Sequence, residues 1–404
     1  MFSLFEGSFA YQFFYGVFKD TIALEMAVVF FRLWFVWLPI FLGYIFVKMW
    51  LAWVRNYYIW NDERVLLEIK VPREMKKTPA AIEAVFAALY EAREANFYER
   101  FWEGFVPAHY SFEIASIGGK IHFYVECPKF FQSLIESHFY SQFTGLEIRE
   151  AEDYTSLIPK KIPNEEWDLR GMEFDLEKED AFPILTYVDV YEMKLKVVEE
   201  VKEHYVDPLS SLFEFFGSLK EGEHLWFQIL VESAGKEWRE EVDKLHKKLT
   251  GKKRFEFAAE IPRFTSPEES VLKAIARATT KPGFKTGIRV IYLARREVFS
   301  PLAFAAVQGI IKQFNSPVLN SFRLLRTTRA RYFFKKWREA DRKKRMLNAF
   351  RERSYFHYPY IRPYFILNTE ELATIYHFPV MFTEVPALER IESRKMKPPP
   401  FLPT

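Results

Sequence analysis

A long apolar stretch near the N-terminus constrains this chain more than any other feature of its 404 residues. No charged residue lies between Leu33 and Val47, and the apolar stretch covers residues 26–54 when Arg32 and Lys48 are included. A helix of about 20 apolar residues is long enough to cross the hydrocarbon core of a bilayer. We therefore predict a transmembrane helix over about residues 26–54.

The residue types in this stretch favour a membrane over a soluble core. Pro39 would break a soluble helix but is tolerated as a kink in a membrane. Tryptophans suit the aromatic belts at the two membrane interfaces, and four of them are predicted there: Trp34, Trp37, Trp50 and Trp53. A buried helix of a large core is the alternative. A secretory signal peptide is disfavoured because residues 52–55 (AWVR) offer no small-residue cleavage site.

Charge and cysteine usage set the expected location. Lys48 near the end of the predicted span, and Arg55 and Arg64 after it, compare with a single lysine, Lys19, before the span. Positive residues favour the cytoplasmic side, so we expect a single-pass protein of the inner cell membrane with its C-terminal soluble domains in the cytoplasm. The one cysteine fits a reducing compartment. Residues 2–18 predict a short aromatic helix in the interface, which makes residues 1–60 a membrane anchor.

The next segment, residues 61–153, predicts the order β-α-β-β-α-β. The expected strands and helices cover residues 65–71, 80–90, 110–117, 120–127, 129–143 and 146–151. Gly118 and Gly119 suit a primed two-residue turn between two strands. This order is the ferredoxin-like arrangement, in which two helices cover one face of a four-stranded antiparallel sheet.

A similar order follows over residues 171–326, after a predicted linker at residues 153–171. Strands are predicted at residues 182–191, 224–232, 287–294 and 320–325, and helices at residues 209–219 and 301–314. Two further helices, at residues 236–249 and 267–278, form an insertion at about residues 233–283. We predict an α+β fold: an N-terminal transmembrane helix, two ferredoxin-like (βαββαβ) units, the second with a helical insertion, and an irregular C-terminal tail.

A basic arm follows the second unit. Residues 323–353 contain 13 Lys or Arg and three Asp or Glu, although the whole chain carries a net charge of only +3. With interleaved aromatic residues, such an arm can bind phosphates and stack on bases, lie on anionic lipid headgroups, or form a solvated helix packed through its rings. The candidate nucleic-acid or lipid contacts are Arg329, Arg331, Lys335, Lys336, Arg338, Arg342, Lys343, Lys344 and Arg345. Residues 327–404 are thus interpreted as a basic helical arm and a proline-rich docking tail.

Motifs for catalysis, metals and cofactors are not found in the sequence. Residues 217–222 come nearest to a nucleotide-binding loop, but Glu223 stands where the phosphate-binding lysine belongs. The histidines do not show the i, i+4 spacing of a helical metal site. The glutamate pair at residues 370–371 is interpreted as charge on a helix surface. We therefore expect a non-enzymatic protein with no cofactor and no metal.

Four stretches carry a family resemblance: residues 207–212 (DPLSSL), 222–228 (GEHLWFQ), 287–292 (GIRVIY) and 367–379 (LNTEELATIYHFP). Together they resemble conjugative DNA-transfer ATPases. More narrowly, most of residues 60–404 is similar to the membrane-anchored N-terminal, non-motor region of type IV secretion ATPase-like proteins of bacteria. In that group the stretch matching residues 398–403 leads into a RecA-like motor domain, whereas this sequence stops at Thr404.

The resemblance implies an assembly or scaffold component of a type IV secretion-like or DNA-translocation machine. The nucleotide-binding motifs belong to the motor domain, so no residue of this chain inherits them. The implied partners are the membrane and other protein subunits, with a separate RecA-like ATPase among them, and the implied state is an oligomer. DNA is a further candidate partner, because the basic arm also suits nucleic acid.

Overall fold

The structure is a computed structural model that describes residues 29–72, 77–91, 93, 95–190, 207–250 and 267–379, without the side chains of 246–250, 267–270 and 272. It combines helices with a sheet and divides into two units. The helix unit comprises Met1–Ile59 and Phe97–Phe105, of which residues 29–59 and 97–105 are described, and all other described residues form the sheet unit. The predicted interfacial helix at residues 2–18 and the last residues, 380–404, lie outside the described part.

The first helix, α1, covers Trp34–Trp60 and contains Pro39. Its most apolar window has a mean hydropathy of 1.8 and none of that window is buried, so α1 is long and apolar enough to cross a membrane. A signal sequence near the N-terminus would meet the same criterion. The helix continues six residues beyond the predicted end at residue 54.

A short segment packs on the C-terminal half of α1 within the helix unit. This segment contains a π-helix at Glu99–Glu103. The indole Nε1 of Trp50 donates a hydrogen bond to the carbonyl oxygen of Phe101 at 2.9 Å. Gly104 has a φ of +68°, and a Cβ at this position would overlap the backbone of Val54. Glycine is therefore the residue that permits this close approach.

The sheet unit contains nine strands among its described residues. They are β1 Arg64–Lys70, β2 His109–Ile117, β3 Lys120–Pro128, β4 Glu147–Glu150, β5 Trp167–Leu176, β6 Glu223–Ser233, β7 Gly283–Arg295, β8 Phe322–Thr327 and β9 Phe365–Asn368. Their order is β4-β1-β3-β2-β6-β7-β5-β8, with β9 also paired to β7, and every pair is antiparallel. Because β2 pairs with β6, the segments predicted as two units share one sheet.

Apart from the last of them, the helices of the sheet unit agree closely with the predicted ones in the described residues. They are α2 Ala80–Ala88, α3 Gln132–Gln142, α4 Ser210–Gly217, α5 Lys236–Thr250, α6 Pro267–Thr279, α7 Pro301–Ile311, α8 Lys335–Arg351 and α9 Thr369–Ile375. The predicted turn between β2 and β3 is also confirmed, since Gly118 and Gly119 have φ values of +58° and +86°. Positive φ at both positions is what the primed turn requires.

The strand predicted at residues 182–191 is wrong. The first strand of the second half is β5, Trp167–Leu176, which begins inside the predicted linker. Residues 183–186 have no regular structure and residues 187–190 are helical. Within the described part of the apolar run, Pro183 and Ile184 are buried without forming a strand, whereas the alternation of β5 is obscured by the buried charge of Glu173 and by a bulge after it.

The prediction of an irregular tail is wrong for residues 365–375, which form β9 and α9. All residues from Phe365 to Pro379 are buried. The helix starts with a capping box, in which the Asn368 side chain accepts from the backbone N–H of Glu371 and the Glu371 carboxylate accepts from the N–H of Asn368. Such a reciprocal cap satisfies two N–H groups that a helix start leaves open. This segment is part of the core.

The two faces of the sheet carry different layers. Alternate strand residues such as Phe112, Phe227 and Val290 pack with residues of α2, α3, α4, α7 and α9 in the larger core cluster. The opposite face, with Trp226 and Ile291, packs with residues of α8 and of the connection after β4. The basic arm therefore covers the face that α2, α3, α4, α7 and α9 leave open.

Glycine at residue 171 permits the close approach of α8 to β5. A Cβ on Gly171 would overlap the sulfur of Met346. We expect Gly171→Ala to lower the free energy of unfolding by about 1–3 kcal/mol through overpacking, measured by denaturant titration of the solubilised chain. The control is Gly309→Ala in α7, where the added methyl group meets no atom within 4 Å and should be neutral or stabilising. Equal effects at both sites would contradict the packing of α8 on β5.

Candidate functional site

The basic arm is held to the sheet by the C-terminal half of α8. Met346, Leu347 and Phe350 are buried against the sheet, and the Phe350 ring lies 5.3 Å from that of Trp226. These apolar residues recur at the spacing of one helix face. The apolar face fixes the arm on the sheet, and the charged residues of α8 lie around its other sides.

Four polar residues form a buried row across the strands beneath α8. Glu113, Gln228, Arg289 and Glu173 are direct partners on β2, β6, β7 and β5, respectively. All four are at most 1% exposed. Gln228 joins the two ends, because its Nε2 donates to Glu113 at 2.9 Å and its Oε1 accepts from Arg289 at 3.0 Å. We call these four residues the polar row.

Glu113 has the largest number of partners in the polar row. Its carboxylate accepts hydrogen bonds from Ser111 Oγ at 2.7 Å, Tyr154 OH at 2.8 Å and Arg353 Nε at 3.0 Å. Arg353 lies just after α8 and also donates to Asp153 at 2.9 Å. A buried carboxylate needs such donors, because burial without them is strongly unfavourable. Glu113 thereby connects the sheet to the end of the arm.

Burial and charge act in opposite directions on the groups around Arg353. Burial lowers the pKa of the Arg353 guanidinium, but the charge of Glu113 and those of Glu126 and Asp153 raise it by more, so it lies well above its ordinary value. Burial raises the pKa of the Asp153 carboxyl, whereas the hydrogen bonds and charge of Arg353 bring it below its usual range. Both groups are therefore ionised in the folded protein at neutral pH.

The other end of the polar row is a second buried ion pair. Arg289 donates to Glu173 at 3.0 Å, and Arg362 reaches the same carboxylate at 3.3 Å. The Arg289 guanidinium also lies 5.5 Å from the centre of the Tyr355 ring. Residues 353–362 therefore close over the polar row as a continuation of the arm.

Three of the candidate contact residues have partners inside the chain. Arg342 donates to the carbonyl oxygen of Arg329 at 2.7 Å, and Lys343 forms an ion pair with Asp168 at 2.5 Å. Arg345 pairs with Asp341 one turn earlier in α8. Lys343 in particular is mostly buried. Arg342 and Lys343 thereby contribute to the packing of the arm, whereas Arg345 is exposed.

The other candidates remain without an ion pair or side-chain hydrogen bond among the described residues. They are Arg329, Arg331, Lys335, Lys336 and Lys344, which are exposed, and Arg338, which is half-buried. Most of them lie where the chain enters α8. The structure therefore separates an open middle segment of the arm, residues 329–338, from β8 before it and from the packed C-terminal half of α8 after it.

Large aromatic side chains accompany these cations. Tyr332, Phe333, Phe334 and Trp337 are 74%, 86%, 83% and 71% exposed. Phe334 has a φ of +57°, a left-handed conformation that is unusual for a bulky residue, and it turns the chain into α8. We call residues 329–337 the aromatic–basic patch. It is defined by four exposed rings and by the exposed cations Arg329, Arg331, Lys335 and Lys336.

The predicted tryptophans of the membrane interface differ in exposure. Trp34 and Trp53 are more than half exposed. Trp37 is half-buried, stacks on Phe30 at 4.7 Å and donates its Nε1–H to the carbonyl oxygen of the same residue. Trp50 is half-buried as well, in the contact with residues 97–105. Their positions in a bilayer remain a prediction.

The residues that come nearest to a catalytic arrangement have structural partners. A cavity of about 150 Å³ is lined by Asp207, Ser210, Ser211 and Gln313, among others. The Asp207 carboxylate accepts a hydrogen bond from the backbone N–H of Leu209 at 2.7 Å. It also forms a hydrogen bond with Nε2 of His377 at 2.8 Å. Within the described part of the chain, no group of three His, Cys, Asp or Glu is placed to hold a metal ion.

The glutamates predicted as surface charge, Glu370 and Glu371, are instead buried. Glu370 forms an ion pair with Lys281 at 2.7 Å. Burial raises the pKa of Glu371 to about 8. Hydrogen bonds from the backbone N–H groups of Asn368 and Ile184 to its carboxylate act in the opposite direction. The signal in the sequence was present but missed: Asn-Thr-Glu-Glu is a capping box, with the acid three residues after the cap.

The stretches that carry the family resemblance meet in the interior of the sheet unit. Asp207 of the first contacts His377 of the fourth, and Gln228 of the second contacts Arg289 of the third. These residues act in the framework of the fold rather than at an open site. A comparison with protein-family models finds no match, and one with curated protein sequences finds none.

Proposed function

We propose that this chain is a non-enzymatic, membrane-anchored assembly component of a type IV secretion-like or DNA-translocation machine, and that it docks a separate motor ATPase. The observation that carries the proposal is α1, an apolar helix whose most apolar window is unburied, on a chain with a large folded sheet unit. An apolar surface of this kind needs a bilayer or another protein to cover it. Positive residues after α1 favour a cytoplasmic sheet unit.

The buried contacts among the four resemblance stretches support a shared architecture with that group. Their residues fix how β6, β7, α9 and the start of α4 fit together. Such residues would be kept in any relative that keeps the fold, whatever its activity. These contacts therefore support the architecture of the group and no enzymatic activity, and the place beside a motor rests on the family resemblance alone.

We interpret the sheet as two ferredoxin-like halves joined edge to edge. When the strands of each half are numbered from its own start, β4-β1-β3-β2 is 4-1-3-2, and the second half read from β8 to β6 (β8-β5-β7-β6) is also 4-1-3-2. In each half, helices between the strands belong to the same core cluster on one face. Residues 61–153 and 171–326 are the corresponding segments, and the contact between β2 and β6 joins them.

A second candidate function is nucleic-acid binding through the arm at residues 323–353. The observation that favours it is the set of exposed, unpaired cations beside exposed rings in the described residues. Lysine and arginine neutralise phosphates and rings stack on bases. The strongest contribution would come from the aromatic–basic patch, because Arg342 and Lys343 already have partners within the chain.

Membrane anchoring and motor docking can be tested in one experiment. We expect the full-length chain to stay in carbonate-washed native membranes with an intact mass that includes α1. Extraction in mild detergent should recover a RecA-like ATPase or a pore subunit with it. Phe41→Lys with Phe46→Lys places two charges in α1, each of which disfavours insertion by about 2.5–3.5 kcal/mol, so this variant should leave the membrane. Phe41→Leu with Phe46→Leu is the matched control and should remain.

Each outcome of this experiment decides a different part of the proposal. If the chain recovered from the membranes has a mass that lacks α1, then α1 is a cleaved signal sequence and the anchor is contradicted. An anchored chain that is recovered alone, with no ATPase or pore subunit, would contradict the machine assignment.

A further inference from the structure

We infer that the aromatic–basic patch docks on an anionic bilayer surface, with its aromatic rings entering the headgroup region and its cations pairing with lipid phosphates. The patch lies in the sheet unit, outside the helix that can cross a membrane. It would form a second membrane contact of the chain. The inference rests on the proposed membrane attachment for one point only, which is that a bilayer is close by.

The rings of the patch suit the boundary between water and lipid. Phe333 and Phe334 have no polar side-chain atom, yet they are 86% and 83% exposed. Tyr332 and Trp337, also exposed, each combine an apolar ring with a polar group, which is why tyrosine and tryptophan gather at membrane interfaces. Removing four such rings from water is favourable in proportion to their apolar area. A lipid headgroup region can cover all of them at once.

The cations of the patch determine the charge of the surface that it fits. Arg329, Arg331, Lys335 and Lys336 are exposed and make no ion pair among the described residues. No acidic residue lies in the first turn of α8, so the positive end of the helix dipole adds to their charge. Polybasic segments beside apolar residues are attracted to anionic lipids at the membrane surface. The charges of the patch and of an anionic bilayer are complementary.

The arrangement of the rings favours a bilayer over nucleic acid. Tyr332, Phe333 and Phe334 are consecutive residues before α8, whereas stacking on single strands uses rings that receive successive bases along a groove. A chain held by α1 would also meet its own bilayer at a high effective concentration. At another exposed ring of the sheet unit, Phe130, the neighbouring cation is already paired, since Lys129 forms an ion pair with Glu63.

A fluorescent label on residue 333 can test this docking in the full-length chain. The one native cysteine, Cys127, is buried, so Phe333→Cys can be labelled selectively with an environment-sensitive dye. The chain is reconstituted in nanodiscs of phosphatidylcholine alone or with phosphatidylglycerol, and some discs contain lipids that carry a quencher. Leu302→Cys in α7, which is 78% exposed, provides the control position.

We expect the label at residue 333 to shift to the blue and to be quenched by lipid in discs that contain phosphatidylglycerol. The label at residue 302 should remain in water. Each cation changed to glutamine, at Arg329, Arg331, Lys335 or Lys336, should lower the ratio of docked to undocked chain about five-fold. High salt should have the same effect, since exposed charges are screened.

Three results would overturn the inference. Equal quenching with and without phosphatidylglycerol would remove the role of the cations. A chain that enters the discs while its label at residue 333 remains in water would contradict the patch and leave the anchor intact. A label that responds to a single-stranded oligonucleotide and not to phosphatidylglycerol would assign the patch to nucleic acid. If the chain does not enter the discs but its label at residue 333 is quenched by added vesicles, only the membrane anchor is contradicted.

Discussion

Glu113→Ala is expected to lower the free energy of unfolding of the sheet unit by about 3–5 kcal/mol. The change leaves the buried guanidinium of Arg353 with only Asp153 as a carboxylate partner. It also removes the acceptor for Tyr154 and for one N–H of Gln228. Buried groups that lose their partner retain the full penalty of leaving water. Denaturant titration of the solubilised chain, followed by circular dichroism, measures the loss.

A double substitution separates the charge of the pair from its packing. Glu113→Leu with Arg353→Met removes both buried charges, and we expect this chain to be more stable than one with Glu113→Leu alone, as for other buried pairs replaced by apolar residues. Asp153→Asn is the control on the exposed side, where 39% of the side chain is accessible, and should have a smaller effect. If Glu113→Ala changed stability by less than 1 kcal/mol, the polar row would not be a structural element.

The course of most strands and helices could be predicted from local patterns. Alternating apolar residues predicted β1, and two strand-like runs joined by Gly118-Gly119 predicted β2, β3 and the turn between them. These signals are local, because a strand with one buried face shows its period directly in the sequence. β5 did not follow the rule, because its buried residues include Glu173, which reads as a solvent-facing position.

The polar row could not be predicted, because its members come from four separate strands. Gln228 and Arg289 each appear in the sequence as a single polar residue in an apolar run, and Glu113 lies in a run that also contains Ser111 and Ser116. Only the register of β2, β6 and β7 makes them neighbours. Long-range register depends on the packing of the whole sheet, and one sequence gives no direct measure of it.

The arm was recognisable from its charge, but its division into packed and open segments was not. Charge counting treats Lys343 and Lys335 alike, whereas the structure pairs Lys343 with Asp168 and leaves Lys335 exposed. The partner lies on β5, a strand that the sequence patterns did not reveal. The aromatic–basic patch is therefore a smaller candidate surface than the basic segment as a whole.

Ending the chain after Tyr364 is expected to abolish cooperative folding of the sheet unit. Residues beyond this point include six large apolar side chains that are at most 3% exposed: Phe365, Ile366, Leu367, Leu372, Tyr376 and Phe378. A fully buried side chain of this size contributes about 1.5–3 kcal/mol, so their sum is comparable to the whole stability of a typical domain, about 5–15 kcal/mol. The truncation would also uncover Phe112 and Phe123, which lie 5.1 Å from Tyr376 and 5.0 Å from Phe378, respectively.

The matched control for this truncation is a chain that ends after Pro379, which keeps every described contact of β9 and α9. We expect this chain to unfold cooperatively, as the full-length chain does, and to retain the hydrogen bond between His377 and Asp207. Phe378→Ala in the full-length chain tests the same packing with one residue and should cost about 3–5 kcal/mol. Circular dichroism melts of the detergent-solubilised chains distinguish the cases. A chain ending after Tyr364 that melted like the control would show that residues 365–379 are dispensable, and the segment would then be a docking tail, since a fold that keeps its stability without these residues cannot depend on them for its core.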